Sequence, residues 1–296
     1  MRGTRPERAL EQTVERENVI RKGDRVIVAC SGGSDSVGLA AILAAISKPM
    51  QFELRIAHVN HGVRHSAWQD EAVVLRTGAA LSIPVTVVAL APGPSDEATL
   101  RDARYDALIS IAQQFNANVI ATGHNAEDQT ETVLLALFRG TGPHGLAGMP
   151  ARRELAPGVV LARPLLRFER AEIRNYVQAA GLPYAIDPTN EDLTLRRNAV
   201  RDALTALRPL FPGLDAAVAR AAELVAAELL DAPEAALRRQ VRETLREHQA
   251  LRGVDFEHIE AAVRALERGN SGRFSMGSGV ELTIENGQLT VHREER

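Results

Sequence analysis

Cysteine occurs once in the 296 residues, at Cys30, and lysine only twice, at Lys22 and Lys48. A single cysteine excludes an internal disulfide, a cysteine-built zinc cluster and a cysteine-ligated iron–sulfur centre within one chain. Two lysines leave almost no candidate for catalytic lysine chemistry; every other basic residue is arginine, a usage that fits genomic composition, although guanidinium also suits phosphate. Aromatic residues make up 4%, too few for a platform on which RNA bases stack in series. No run approaches the ~18 apolar residues that cross a bilayer. The stretch from Met1 to Glu17 mixes Arg and Glu without the apolar centre of a leader. A soluble, cytoplasmic protein without membrane contact is the expectation. Neither sign of charge dominates: 35 Lys+Arg against 38 Asp+Glu leave −3, which excludes a globally basic coat for a polyanion. Residues 1–139 carry 14 basic against 16 acidic side chains, 140–212 carry 10 against 7, and 213–296 carry 11 against 15, so the middle segment is positive.

What is present is a globular composition, 45% apolar and 25% charged, in a chain about twice the ~150-residue domain norm. From Arg25 onward, short β-branched runs (Val26–Ala29, Leu54–Val59, Pro84–Val88, Asn118–Ala121) alternate with amphipathic stretches near Ser34–Ile46, Ser66–Ala80, Asp96–Phe115 and Glu127–Phe138. That alternation predicts an α/β fold of βαβ units around a parallel sheet, with sites at the carboxyl ends of the strands. A Gly/Pro-rich loop spans Gly140 to Pro150, and an Arg-rich mixed segment follows. Two prolines and a glycine in Arg208-Pro209-Leu210-Phe211-Pro212-Gly213 mark a boundary. Beyond it come Ala-rich helical stretches and a tail of short strands, Arg273–Ser275, Val280–Ile284 and Gln288–His292, the last two joined by Glu285-Asn286-Gly287, a hairpin signal. We therefore expect a large α/β domain over 1–212, which the motifs below make the ATP-binding catalytic one, and a small α+β domain over 213–296.

The first strand runs directly into Ser31-Gly32-Gly33-Ser34-Asp35-Ser36, after which Val37, Leu39, Ala40 and Leu43 open a helix. Two glycines let backbone N–H groups converge on an oxyanion, serines flank it with hydroxyls, and the helix N-terminus adds partial positive charge. Asp35 would repel a phosphate unless a divalent cation intervened, so Mg2+ with Asp35 as its ligand is expected. A plain Ser/Asp-capped helix would leave the two glycines unexplained. No glycine is followed by lysine, which excludes a Walker loop, and the GxGxxG of Gly140, Gly142 and Gly145 follows a helix where a dinucleotide site needs a strand. The turn resembles the PP-loop of the ATP pyrophosphatase superfamily. That resemblance implies a Rossmann-like, adenine nucleotide alpha hydrolase-like sheet and cleavage of ATP between its α- and β-phosphates.

The second strand ends in His58-Val59-Asn60-His61-Gly62-Val63-Arg64-His65; these histidines turn through a glycine and have no companion carboxylate, so a stacking or substrate-facing role fits them better than zinc. Arg101-Asp102-Ala103-Arg104-Tyr105 reads either as a solvated helical face or as a surface for RNA backbone. In Ala121-Thr122-Gly123-His124-Asn125-Ala126-Glu127-Asp128-Gln129-Thr130-Glu131-Thr132, the i, i+4 and i, i+3 spacing of His124, Asp128 and Glu131 puts all three on one face at the start of a helix. Helix-dipole capping alone would use such carboxylates. At the sheet edge that also holds Asp35 they read as an active-site wall. There Asp128 would position or deprotonate an amine and His124 would stabilise charge.

Together with Leu137-Phe138-Arg139-Gly140-Thr141-Gly142, Arg163-Pro164-Leu165-Leu166, Asp187-Pro188-Thr189-Asn190 and Arg196-Arg197-Asn198-Ala199-Val200-Arg201, these segments resemble the tRNA(Ile)-lysidine synthase family over about residues 25 to 210. The family joins free lysine to C2 of the wobble cytidine of an isoleucine tRNA with a CAU anticodon. The resemblance implies ATP binding by Ser31, Gly32, Gly33, Ser34, Asp35 and Ser36 with His58 and Asn60. It implies catalytic roles for Asp35, His124, Asp128 and Glu131, and tRNA or intermediate contacts for Arg104, Arg139, Arg197, Asn198 and Arg201, each Arg also a possible surface salt-bridge partner. The small C-terminal domain would bind tRNA, in a short form with one module where longer members have two; a homodimer is one state the resemblance admits. Related PP-loop enzymes that thiolate tRNA need paired cysteines, which Cys30 cannot supply, and amidotransferase-coupled relatives need a further domain.

Overall fold

In a computed structural model, which describes residues 19–60, 67–90, 97–185, 196–231, 233–248, 250, 254, 256–277 and 279–293, the β-branched runs form a sheet. Its strands are β1 (Arg25–Ala29), β2 (Glu53–Asn60), β3 (Val85–Ala89), β4 (Val119–Thr122), β5 (Arg152–Ala156) and β6 (Val159–Ala162), in the spatial order β3-β2-β1-β4-β6-β5. Five strands run parallel; only β5 is antiparallel, paired with β6 through a register shift between Glu154 and Ala156. The β5–β6 hairpin was not legible in the Arg-rich middle segment, because Arg152, Arg153 and Glu154 give an edge strand no apolar alternation to show.

The connecting helices are α1 (Ser34–Met50), α2 (Ala67–Leu81), α3 (Glu97–Gln114) and α4 (Ala126–Phe138), with α5 (Pro143–Leu146), α6 (Arg170–Ala179), α7 (Arg196–Leu207) and α8 (Leu214–Asp231) further along. Alternation along β1 assigns its two faces. Val26 and Val28 pack with Leu39, Ile42 and Leu43 of α1 and Ile173 and Val177 of α6, whereas Ile27 packs with Leu108, Ile111 and Ala112 of α3. Both faces of the sheet are thus covered, as parallel strands require. Strand order reverses between β1 and β4, so the loops leaving these neighbours diverge to opposite faces and open a crevice at their carboxyl ends. Both conspicuous sequence motifs sit there, the Ser31–Ser36 turn after β1 and the Gly123–Glu131 segment after β4.

The chain divides into two compact units, residues 1–131 with 149–216, and residues 132–148 with 217–296. Segment 132–148 joins the second unit although it lies far from residues 217–296 in sequence. In the second unit, α9 (Pro233–Glu247) and α10 (Phe256–Glu267) bury Val241, Leu245, Ile259 and Val263 with Met276, Leu282 and Ile284 of an antiparallel sheet. Its strands are β7 (Gly272–Gly277), β8 (Val280–Glu285) and β9 (Gln288–Arg293). Glu285 pairs with Gln288 across a two-residue turn whose Asn286 and Gly287 have φ of 52° and 78°, as the Asn-Gly signal predicts.

One glycine fixes the crevice. A Cβ at Gly123 would lie 2.9 Å from the carbonyl oxygen of Asp35 and 3.1 Å from the nitrogen of Ser36, so only glycine lets the end of β4 approach the start of α1. Gly123→Ala is expected to lower stability by about 1–3 kcal/mol, because the obstructing atoms are backbone and cannot rotate away. Denaturant unfolding of the two proteins measures the difference.

Candidate active site at the switch point

The turn after β1 is braced from within. Gly32 has φ of 94°, and a Cβ there would stand 3.0 Å from the carbonyl oxygen of Asp70 in α2. The Ser36 hydroxyl is buried; it donates to the carbonyl of Gly33 (2.9 Å), accepts from the main-chain N–H of Ser31 (3.1 Å) and lies 3.2 Å from the Ser31 hydroxyl. Buried His58 holds the carbonyl of Cys30 through Nδ1 at 2.8 Å, which requires that nitrogen to carry the proton. Ala185 donates to the carbonyl of Gly32 at 2.9 Å and closes the far side. Ser36 and His58 therefore shape the turn from beneath, while Ser31 is exposed and Gly33 and Ser34 are half-buried. Asn60 reaches Glu71 of α2 at 3.5 Å. Burial pushes the Cys30 thiol above its ordinary pKa, which suits a packing role and not a nucleophile.

From the other side of the crevice comes α4, capped reciprocally. The Asn125 side chain accepts from the N–H of Asp128 (3.0 Å), and the Asp128 carboxylate accepts from the N–H of Asn125 (3.1 Å). Asn125 is fully buried, and its amide also donates to Asp35 Oδ2 at 2.9 Å, so one cap residue ties both motifs together. Arg170, at the head of α6, reaches the same two carboxylates: Nε lies 3.2 Å from Asp35 Oδ2 and Nη2 3.5 Å from Asp128 Oδ1. Arg197 continues the chain from Asp128 Oδ1 (3.4 Å) to Glu131 Oε2 (2.8 Å), and Arg201 closes on Glu131 at 2.8 Å. Arg201 also reaches buried Asn198 at 3.5 Å. Burial raises the Asp35 pKa; the Arg170 guanidinium opposes that rise and neighbouring Asp128 adds to it.

His124 leans on the Thr122 hydroxyl through Nδ1 at 2.9 Å. Its pKa falls to about 3, first because it is buried and then because Arg163, Arg197, Arg101 and Arg104 surround it with positive charge. Arg163 is itself buried, gives Nη1 to the carbonyl of Pro150 at 2.6 Å, and has an Nε without a hydrogen-bond partner. The guanidinium groups of Arg101 and Arg153 lie 5.7 and 5.8 Å from the ring centre of Tyr105. A neutral imidazole among arginines is a place that attracts an anion.

The structure thus brings together Asp35, His124, Asp128, Glu131, Arg197, Asn198 and Arg201 around the braced turn. Arg104 is exposed on α3, and Arg139 is exposed in the second unit. His61, His65 and the segment Asp187–Asn190 lie outside the described residues. Sequence reasoning missed Arg170 and the cap role of Asn125. The Asn-x-x-Asp pattern at 125–128 carries the second; nothing local marks the first, since its partners are 42 and 135 residues away. Among the described residues, no helix is long and apolar enough to cross a membrane.

A doubly wound sheet with a glycine-serine turn and an aspartate at its switch point defines a nucleotide-binding α/β protein. Comparison with known proteins agrees. A PP-loop domain family model matches residues 4–207. The tRNA(Ile)-lysidine synthase of Salinispora tropica is 43% identical over 210 residues, covering 69% of this chain and 62% of that one. That of Symbiobacterium thermophilum is 40% identical, covering 68% and 43%. That of Thermosynechococcus vestitus is 31% identical and covers 93% of this chain and 88% of its own. The chain belongs to the PP-loop family and, within it, to the tRNA(Ile)-lysidine synthase family. It spans about two-fifths to three-fifths of the length of the first two relatives. Among solved structures, the U34-tRNA thiolase NcsA from Methanococcus maripaludis with its 4Fe-4S cluster shares the fold, with a TM-score of 0.63 and 19% identity over 74% of this chain and 79% of that one.

Two outcomes test the electrostatics. The folded chain keeps His124 neutral, whereas the unfolded chain protonates it below 6.5. Its contribution to stability is therefore complete above 6.5 and is lost as the pH falls toward about 3. His124→Gln should flatten the acid side of the curve of denaturation midpoint against pH. Glu131→Ala should cost about 1–3 kcal/mol in the same unfolding experiment, because it removes the buried carboxylate that Arg197 and Arg201 share.

Proposed function

We propose that the chain is an ATP-dependent carbon–nitrogen ligase that converts the wobble cytidine of a CAU-anticodon isoleucine tRNA to lysidine. The observation that carries this reading is the meeting of the Ser31–Ser36 turn with Asp35, Asn125 and Asp128 at the switch point of a chain belonging to this family. An amine that attacks C2 of cytosine must expel oxygen, a poor leaving group. The C2 oxygen therefore attacks the α-phosphorus of ATP first, and pyrophosphate departs. The amino group of free lysine then adds to C2, loses a proton, and AMP leaves with the oxygen. Two difficult steps become two feasible ones.

The main-chain N–H groups and exposed serine of the turn would hold the phosphates at the N-terminus of α1. Oxygen donors fit Mg2+: Asp35 offers Oδ1, which the Ser34 hydroxyl reaches at 3.3 Å, and the turn adds further hydroxyls. Among the described residues no group of three or more His, Cys, Asp or Glu could hold a metal, so Asp35 would share the ion with the nucleotide's phosphates. When bound, Mg2+ supplies charge neutralisation on the phosphates. Asp128 has one oxygen in the helix cap and the other on two guanidiniums, an arrangement that supports positioning of the lysine amine more than removal of its proton. Glu131, closed off by Arg197 and Arg201, fixes the direction of those two arginines, which with Asn198 are offered to the RNA phosphate or the adenylated intermediate. His124 stays neutral and can hydrogen-bond the reacting phosphate within the field of four arginines. Arg104 and Arg139 are exposed cations that would suit backbone contacts, and the small α+β unit would bind tRNA.

Incubation with labelled lysine, Mg-ATP and the CAU isoleucine tRNA transcript tests the reading. Label should enter tRNA, and changing the wobble cytidine should abolish it. Incorporation into a small molecule alone would overturn the assignment. Asp35→Ala should reduce AMP formation by at least about a hundredfold while tRNA binding, measured by filter retention, stays within about threefold.

A further inference from the structure

Arg170 is the first residue of α6, where the helix dipole disfavours a cation. Helix stability therefore does not explain it. The residue is held by its backbone before its side chain does anything: its N–H lies 3.0 Å from both carboxylate oxygens of Glu127, and Glu172 accepts from the N–H of Glu169 at 2.9 Å. With the main chain so fixed, the side chain, one quarter exposed, reaches Asp35 at the head of α1 and Asp128 at the head of α4. Among the described residues it is the one guanidinium paired with Asp35. Burial disfavours its charge, but Asp35, Asp128, Glu127 and Glu131 outweigh that cost and raise its pKa above the ordinary value.

We propose that Arg170 is a positioning residue for adenylation: its planar fork sets the spacing of the Asp35 and Asp128 carboxylates and directs Asp35 at the phosphate-binding turn. Asp35 needs such a guide. Its other neighbour on the same oxygen, the Asn125 amide at 2.9 Å, is neutral and leaves the repulsion between the two carboxylates uncompensated. A lysine at position 170 would bring the charge but not the fork, since one ammonium offers a point charge where the guanidinium offers coplanar donors. This role rests on the reading of the site as the place of AMP formation.

The test uses the full chain with Mg-ATP, lysine and the CAU isoleucine tRNA transcript. Arg170→Gln is expected to lower kcat for AMP formation by about 10- to 100-fold while KM for ATP moves less than about threefold, the signature of lost alignment rather than lost binding. Arg170→Lys should recover only part of the loss. In an Asp128→Asn background, Arg170→Gln should do less than in the wild type, because the two losses share one bridge. Unfolding of the nucleotide-free proteins gives a second readout: the same double-mutant cycle should show coupling, and it needs no activity. Unchanged kcat in Arg170→Gln, full recovery in Arg170→Lys, a rise in KM for ATP at constant kcat, or strict additivity with Asp128→Asn in both readouts would each overturn the proposal. If the wild-type chain forms no AMP with this tRNA, the reading of the site falls, and the assignment of Arg170 to adenylation falls with it. A wild type that is active beside an unimpaired Arg170→Gln sinks only the positioning role.

Discussion

A carboxylate with no exposure to solvent is costly to bury unless donors meet both of its oxygens, and Glu131 is such a carboxylate. Arg197 and Arg201 meet it at 2.8 Å each, and the rest of the site follows from that need. Arg197 has a second hand for Asp128, Asp128 shares Arg170 with Asp35, and Asp35 stands at the head of α1 beside the turn. Negative and positive groups alternate along the whole line. Because the line draws on α1, α4, α6 and α7, it ties helices from distant parts of the chain to one sheet edge. Replacing it with apolar residues could leave the fold equally stable. What would go is the fixed geometry of charges at the crevice.

The sheet explains why the line can exist. Reversal of strand order between β1 and β4 places two helix N-termini side by side, each with the partial positive charge of its dipole. Asp35 and Asp128 sit in the first turns of those helices, where acidic residues are favoured, and a guanidinium between them offsets their mutual repulsion. The fit between turn and wall depends on Gly123, on the bond from Asn125 to Asp35, and on His58 holding the carbonyl of Cys30. None of these three contacts need face a substrate. They serve the exposed atoms above them.

Much of this was legible along the chain because the signals were local. Val26–Ala29 followed by Ser31–Ser36 states a strand, a tight turn and a helix start within eleven residues, and Asn286-Gly287 states a hairpin in two. His124, Asp128 and Glu131 share a helix face because of their spacing alone. Arg170 was hidden for the opposite reason: the residues that give it meaning are Asp35 and Asp128, and a sequence pattern does not report partners so far away. The β5–β6 hairpin was hidden because its edge strand is polar and short, and segment 132–148 because its association with 217–296 is tertiary. The motifs place Ser36 and His58 near the turn, but only geometry shows them bracing it from beneath.

Net charge of −3 gave no hint of an anion site, and the local field shows why the sum misleads. The chain's carboxylates near the crevice are spent on arginines: Glu131 on two, Asp128 on two, Asp35 on one. Charge pairing of that kind cancels at a distance but not at contact range, where each group keeps its own local field. His124 registers the imbalance, since Arg163, Arg197, Arg101 and Arg104 all act to keep its proton off. Along the line Asp35 is held by a single guanidinium, whereas Asp128 and Glu131 are each held by two. On the proposed reading of the site, that least compensated carboxylate is where a divalent cation would enter with the nucleotide.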